Sequence, residues 1–156
     1  MKATMYPLLL LFVLFAACER QLSPVEELIQ LEDELILEHL EEENIDAVRH
    51  EQGFYYKIVE EGTGVRPNSS SEVQVSYVGR FPNGVVFDEA DSTNLAELSL
   101  SSVIPGWRIG IPLIREGGEI QLFLPSRHGY ARRPPVGSGI PPNAVLFFDV
   151  RLHRVK

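Results

Sequence analysis

The stretch Val73–Asp88 (VQVSYVGRFPNGVVFD) limits what this chain can fold into more than any other part of the sequence. In an extended chain every second side chain lies on one face, and one face here carries Val73, Val75, Tyr77 and Gly79. Pro82–Gly84 interrupts the alternation, and its Asn-Gly pair is typical of a two-residue type I′ turn. The stretch therefore predicts a β-hairpin whose strands run antiparallel.

Four further segments have the apolar, β-branched and aromatic residues that favour strands: Phe54–Glu60, Leu98–Ile104, Glu119–Leu124 and Ala144–His153. A short helix is predicted at Gly106–Ile114, because Pro105 ends the preceding strand and suits the start of a helix. Pro125–Asn143 is predicted to be a long loop. Since no strand–helix–strand alternation follows the chain, we expect an α+β fold with an antiparallel sheet of five to six strands.

The first 17 residues have the features of a secretory signal peptide. Lys2 gives a positive start, and the apolar run Leu8–Phe15 is far shorter than the roughly 20 residues of a membrane span. Cys18 is the only cysteine, and the sequence LFAAC that ends at it resembles a bacterial lipobox. We therefore expect a signal peptide at residues 1–17 and a lipid on Cys18. The lipid would anchor the protein in the bacterial cell envelope, facing the periplasm, and Glu19 favours the outer membrane over the inner one.

A strongly acidic segment follows, in which Val25–Ala47 contains ten Asp or Glu residues and no Lys or Arg. Ser23 suits the N-cap of a helix, Pro24 its first position and Glu26 a capping box, so a helix is predicted within Ser23–Val48. Its apolar residues form one stripe: Val25, Leu28, Ile29, Leu31, Leu35, Ile36 and Leu40. We expect the stripe to pack on the chain's own domain or on a second copy, as a homodimer; the alternative is a partly frayed spacer.

The charge pattern and the missing motifs exclude several classes of function. The net charge is −8, but from Val48 onward twelve basic and eleven acidic residues nearly cancel, so nucleic acid, which needs a basic surface, is not an expected partner. The four histidines, none at metal-ligand spacing, are His39, His50, His128 and His153. No phosphate-binding loop or nucleophile motif occurs. We expect neither a metal nor a cofactor.

The remaining aromatic residues fit either a hydrophobic core or the wall of a concavity. The order of three motifs favours the second interpretation. VQVSYVGRFPNGVVFDEA, SSVIPGW and GIPPNAVLFFDVRL closely resemble motifs of the FKBP-type peptidyl-prolyl cis-trans isomerases. The resemblance covers about Phe54–Lys156 and implies an FKBP-like half-barrel sheet wrapped on the short helix. It places an isomerase domain at residues 53–156, after a lipidated cysteine and acidic linker at residues 18–52. It implies an enzyme that twists X-Pro bonds, and its expected partners are exported polypeptides that contain proline.

By the same resemblance, the catalytic residues are Tyr77, Phe87, Asp88, Trp107, Tyr130 and Phe148, and the substrate-binding residues are Leu98, Val103, Ile104 and Ile140. Trp107 is expected to form the floor beneath the proline ring. Asp88 is expected to accept a hydrogen bond from a tyrosine hydroxyl, and the Ile104 N–H to meet a substrate carbonyl. Tyr130 is expected to donate a hydrogen bond from the long loop.

Two residues depart from the family pattern. Ala131 stands where the family often has a glycine whose backbone freedom is used, and Leu98 where it usually has a phenylalanine. These departures keep one alternative open, a low-turnover proline-binding chaperone. The acidic helix and the expected lipid leave a second one, an envelope scaffold module with a vestigial pocket. The scaffold is disfavoured because a vestigial pocket tends to lose its polar partners, whereas Asp88 and Tyr130 are both present.

Overall fold

The computed structural model describes residues 21–156, so the predicted signal peptide and Cys18 lie outside the described residues. The helices are α1 (Pro24–Glu42) and α2 (Pro105–Gly110), and the strands are β1 (Val48–Arg49), β2 (Tyr55–Glu60), β3 (Glu72–Arg80), β4 (Val86–Ala90), β5 (Ala96–Ser99), β6 (Glu119–Leu124) and β7 (Leu146–Val155). Single 3₁₀ turns follow α2 and β6. Neither described helix combines the length and apolar character that crossing a bilayer requires.

All seven strands form one antiparallel sheet in the order β1-β2-β6-β7-β3-β4, with β5 also paired to β3. Strand β3 pairs with β7 along one edge, while β4 and β5 share its other edge. The α+β class and the antiparallel sheet are confirmed. The sheet has seven strands instead of the expected five to six, and the strand that the sequence did not predict is β1, a two-residue pairing that leaves no periodicity in the sequence.

The two faces of the sheet bury separate apolar clusters. Strands β6 and β7 alternate, so that Leu122 and Phe148 enter the main core beneath α2. Their neighbours Phe123 and Phe147 lie on the opposite face, against Ile36 of α1. The short helix and the acidic helix therefore cover opposite faces of the same strands.

Helix α1 begins as the sequence predicted. The Ser23 side chain accepts from the Glu26 N–H, and the Glu26 carboxylate accepts from the Ser23 N–H at 2.8 Å, which completes the capping box. Ile36 and Leu40 are buried against the sheet, so the helix packs on its own domain. It ends at Glu42, six residues before the predicted end, and much of the apolar stripe toward its N-terminus stays exposed.

Two local predictions were wrong. The strand predicted at Leu98–Ile104 ends at Ser99, because the chain then turns and Ile104 becomes the residue before α2. The hairpin turn is not type I′, since only Gly84 there has a positive φ. The Gly84 N–H donates to the Phe81 carbonyl, and Pro82 favours the type I turn that this bond closes.

Candidate active site

One concavity brings together most of the residues that the sequence singled out. It has a volume of about 470 Å³ and lies between α2, strands β3, β4, β5 and β7, and the loop after β6. Its lining contains nine of the ten predicted catalytic and substrate-binding residues, together with Ser102. Ile140 is the tenth; it is not among the lining residues, although it belongs to the same buried cluster as Trp107 and Phe148.

Trp107 forms the apolar floor of the concavity. Helix α2 approaches β6 closely, because Gly106 has no side chain where a Cβ would meet Leu124 at 2.5 Å. The indole is 3% exposed and meets two rings edge-on, those of Tyr77 at 4.9 Å and Phe148 at 5.2 Å between centroids. Such perpendicular contacts suit aromatic quadrupoles, so the floor is rigid.

A β-bulge in β4 places two consecutive side chains in the concavity. Gly79 pairs with Asp88 and Arg80 pairs with Val86, which leaves Phe87 as the extra residue. Neighbouring residues of a regular strand face opposite sides, but a bulge rotates the chain locally. Phe87 and Asp88 therefore both line the cavity, one as an apolar wall and the other as a carboxylate.

Gly79 of β3 makes room for this wall. A Cβ at this position would lie 2.7 Å from Cζ of Phe87 and 2.9 Å from Cε1 of Phe148. Those two rings meet edge-on at 5.6 Å. The missing side chain thus allows both rings to stand over the strand.

The polar groups of the concavity centre on Asp88. The Tyr77 hydroxyl donates to Asp88 Oδ2 at 2.7 Å, which is the tyrosine partner that the resemblance implied. Burial, and then the Asp88 carboxylate, raise the pKa of Tyr77 above its ordinary value of 10.0. Burial and the same carboxylate also raise the pKa of Tyr130. Both phenols therefore stay protonated at neutral pH and can donate hydrogen bonds.

Tyr130 is held by the loop of residues 125–145, called here the Tyr130 loop. Its neighbour Ala131 has a φ of +50°, the left-handed conformation that the family's usual glycine adopts freely. The Ala131 N–H donates to the Ser126 carbonyl, and its own carbonyl accepts from the Asn143 N–H at 2.7 Å. The strained residue is thus fixed on both sides, and it sets the position of Tyr130.

Ile104 lines the concavity at the entry to α2. Its carbonyl accepts from the Trp107 and Arg108 N–H groups. Among residues 21–156 no acceptor is in hydrogen-bond geometry with the Ile104 N–H. This leaves a backbone donor at the rim, as the resemblance implied.

Ser102 is the one lining residue that the sequence reasoning missed. It lies in the turn between β5 and α2, where neither periodicity nor a motif distinguishes it from an ordinary loop serine. Within the described part of the chain, no three His, Cys, Asp or Glu side chains converge as a metal site would require.

Comparison with known proteins shows the family of the chain. The family model described as FKBP-type peptidyl-prolyl cis-trans isomerase matches residues 64–153. A protein of Neisseria meningitidis serogroup B named probable FKBP-type peptidyl-prolyl cis-trans isomerase FkpA is 41% identical over 104 residues, which are 66% of this chain and 38% of that protein. The outer membrane protein MIP of Legionella longbeachae is 38% identical over 67% of this chain and 45% of its own length. The chain thus spans about two fifths of these relatives.

A solved structure matches over nearly all of its length. The crystal structure of a peptidyl-prolyl cis-trans isomerase from Pseudomonas syringae pv. tomato superposes with a TM-score of 0.72 at 26% sequence identity. The match covers 88% of this chain and 99% of that one. It therefore extends beyond the segment that the family model covers.

Proposed function

The chain belongs to the FKBP-type peptidyl-prolyl cis-trans isomerase family, and on that premise we propose that it accelerates rotation about X-Pro bonds in polypeptides. One observation carries the proposal: an apolar cavity floored by Trp107 and walled by Tyr77, Phe87 and Phe148, with Asp88 as its one carboxylate. Such a cavity fits a proline ring, and among the described residues no His, Cys or Lys lines it to act as or activate a nucleophile. We therefore propose a chemistry of bond rotation alone.

The barrier comes from the partial double-bond character of the amide and is about 18–20 kcal/mol. Water favours the charge-separated resonance form that creates this character. A cavity that removes water from the prolyl amide weakens that form and favours the twisted amide. Catalysis is then tighter binding of the twisted state than of either planar isomer, without a covalent step. Each tenfold gain in rate needs only about 1.4 kcal/mol.

The polar groups give this apolar site its orientation. We propose that the Ile104 N–H binds a substrate carbonyl and that the Tyr130 hydroxyl donates a second hydrogen bond from the loop. Asp88 holds Tyr77 through the 2.7 Å bond, so that the phenol ring stays against the indole. Leu98 and Val103 complete the rim and contact the residues beside the proline.

We propose an envelope location, with exported polypeptides as substrates. The predicted signal peptide and Cys18 support it, and one relative is named an outer membrane protein. A lipid on Cys18 would hold the domain at a membrane that faces the periplasm, with the outer membrane preferred. Labelling with a palmitate analogue tests the anchor: a Cys18→Ser variant should lose the label, and retention of the label would refute it.

The acidic helix supports a further proposal, self-association through Ser23–Val48. Leu31 and Leu35 are 63% and 40% exposed beside a shallow groove, and a second copy of the chain would cover them. Sedimentation of the full chain should then show a dimer, and a Leu31→Ser, Leu35→Ser variant should be monomeric. A monomeric wild-type chain would rule this out.

The isomerase proposal is tested with a protease-coupled assay on a Leu-Pro peptide and a refolding assay limited by proline isomerisation. We expect clear acceleration that falls at least tenfold, or about 1.4 kcal/mol, in Trp107→Leu. Phe123→Leu is the matched control, because Phe123 is a buried aromatic on the opposite face of the sheet and should leave kcat/KM close to wild type. Equal losses in both variants would mean that this cavity is not the site. Suppressed aggregation without acceleration would favour the proline-binding chaperone instead.

A further inference from the structure

We propose that a second cleft, next to the prolyl cavity, binds the substrate segment beside the proline and selects an apolar residue next to an acidic one. The proposal rests on the isomerase function above. The cleft has a volume of about 420 Å³ and lies between helix α1 and the Tyr130 loop. Val25, Leu28 and Ile29 form one wall, and Tyr130, Arg132 and Arg133 form the other. It is called here the α1 cleft.

Tyr130 joins the α1 cleft to the prolyl cavity. The residue lines both spaces, so a polypeptide that leaves the prolyl cavity past the Tyr130 ring enters the α1 cleft directly. An extended chain advances about 3.3 Å per residue, so the contacts fall within a few residues of the proline. The occupant is therefore the substrate itself.

The helix wall of the cleft is apolar and uncovered. Val25 is 58% exposed and Ile29 is 38% exposed, although both lie on the same helix face as the buried Ile36. Both side chains therefore keep apolar area in the cleft that a ligand could cover. Burial of such side chains against a ligand is favourable in proportion to the area removed from water.

The loop wall supplies positive charge. Arg132 and Arg133 are exposed, and among residues 21–156 no carboxylate lies within 4.0 Å of either guanidinium. Arginine binds carboxylates with two parallel hydrogen bonds. An acidic side chain in the bound segment would therefore meet two unpaired cations.

The floor of the cleft contains a buried carboxylate with unused hydrogen-bonding capacity. Glu32 is 5% exposed, and its Oε2 accepts from the Ser126 N–H at 3.1 Å. Its Oε1 has no hydrogen-bond partner among the described residues. Oε1 is shielded from solvent, so Glu32 acts on a bound segment through the charge of its carboxylate and not through a hydrogen bond. An acidic residue must then lie over the arginines, away from Glu32.

The cleft is already shaped for binding. The Ser126 carbonyl accepts from the Ala131 N–H, and the Ala131 carbonyl accepts from the Asn143 N–H. Through Glu32 and Ser126 these bonds tie the arginine-bearing loop to helix α1. A wall that is ordered before binding loses little entropy when a ligand arrives.

The test compares three peptides on the full chain: a tetrapeptide containing Leu-Pro, the same peptide extended by a Leu-Asp pair, and the same extension with Leu-Lys. The pair is placed at successive distances on each side of the proline. We expect the Leu-Asp extension at its best position to raise kcat/KM about tenfold over the tetrapeptide, or about 1.4 kcal/mol. The Leu-Lys peptide should show little gain.

Two variants should reduce this ratio to about one: Arg132→Ser combined with Arg133→Ser, and Ile29→Ser. Their matched controls are Arg154→Ser and Val65→Ser, an exposed arginine and an exposed valine outside the α1 cleft, which should keep the ratio. Fluorescence anisotropy of the labelled extended peptide provides a readout that does not depend on turnover.

The outcomes separate the two proposals. If the wild type turns over the tetrapeptide but gains nothing from any extension, the inference is wrong and the isomerase stands. If no peptide is turned over, the isomerase proposal fails, and anisotropy then tests the cleft proposal by itself. Equal binding of the extended peptide by the wild type and by the arginine double variant would overturn the cleft proposal. Sedimentation tests the other possible occupant, a second copy of the chain. A dimer that dissociates in Ile29→Ser would assign the cleft to that second copy and overturn the proposal.

Discussion

The Tyr77 hydroxyl reaches Asp88 diagonally across two strands, with 2.7 Å between the oxygens. Tyr77 pairs with Ala90, and Asp88 pairs with Gly79, two residues further along β3. The bond therefore ties the floor side of the pocket, where Tyr77 packs on Trp107, to the bulged strand that carries Phe87.

This bond predicts non-additive effects of mutation. Tyr77→Phe removes the donor and Asp88→Ala removes the acceptor, so each should lower kcat/KM about fivefold, as expected for about 1 kcal/mol of lost hydrogen bonding. The double variant should resemble either single variant, because the interaction can be lost only once. The measurement is a double-mutant cycle in the peptide assay. Losses that multiply in the double variant would show that the two groups act separately.

Gly79→Ala should distort the pocket, although the new methyl group does not contact the substrate. The new Cβ would meet Phe87 and Phe148 at less than 3.0 Å, so both rings must move. We expect a loss of stability of about 1–3 kcal/mol from overpacking and a fall in kcat/KM of about tenfold.

The control for this prediction is the same substitution in a Phe87→Leu background. The smaller side chain relieves the closest contact, so Gly79→Ala should there cost much less stability in urea denaturation. A full cost in that background would mean that the ring of Phe87 is not what opposes the Cβ.

Ala131→Gly should stabilise the protein. The residue holds a φ of +50°, which costs a non-glycine residue roughly 1–3 kcal/mol, whereas the extra freedom of glycine in the unfolded chain costs only about 0.4–1 kcal/mol. The free energy of unfolding in urea should rise by about 1 kcal/mol. Ala90→Gly, in strand β4 and without a positive φ, is the control and should be destabilising. A loss of stability in Ala131→Gly would contradict this account.

The two pocket tyrosines make the free energy of unfolding depend on pH in the alkaline range. The pKa values of Tyr77 and Tyr130 are raised above 10.0 in the folded protein, so the folded state retains protons that the unfolded chain loses above that pH. Their contribution is therefore complete below pH 10.0 and is lost progressively as the pH rises through the folded values.

Unfolding in urea at increasing pH measures this effect. The wild type should lose stability above about pH 10 more steeply than the Tyr77→Phe, Tyr130→Phe double variant. Tyr55, whose pKa burial also raises, is unchanged in that variant, so a part of the slope should remain. Parallel curves for the two proteins would refute the prediction.

The sequence predicted most of the elements, because these leave local signals. Alternation in Val73–Gly79, the capping box at Ser23 and the Pro-Gly pair at the start of α2 each reflect short-range physics and were found. The membership of Trp107, Tyr77 and Tyr130 in one cavity came from the family motifs, since residues so distant in sequence carry no local sign that they meet.

The features that were missed depend on tertiary context. Strand β1 exists only because β2 offers it a partner. The bulge at Phe87 arises from the pairing of β3 with β4, and no residue type in the sequence indicates it. Ile140, predicted to bind substrate, shares the buried cluster of Trp107 and Phe148 without lining the cavity, and the sequence gives no sign of that difference.

The pairing of β2 with β6 has a practical consequence for anyone who would shorten this protein. The family match begins at residue 64, after β2 has ended, so a polypeptide cut at that boundary would lose both β2 and the helix over Phe123 and Phe147. The cut would leave the edge of β6 unpaired beside the uncovered rings of Phe123 and Phe147. An unpaired, apolar sheet edge favours the addition of a strand from another molecule. The start of the family match thus lies inside the unit that must fold together, and solubility would reveal the difference before activity did.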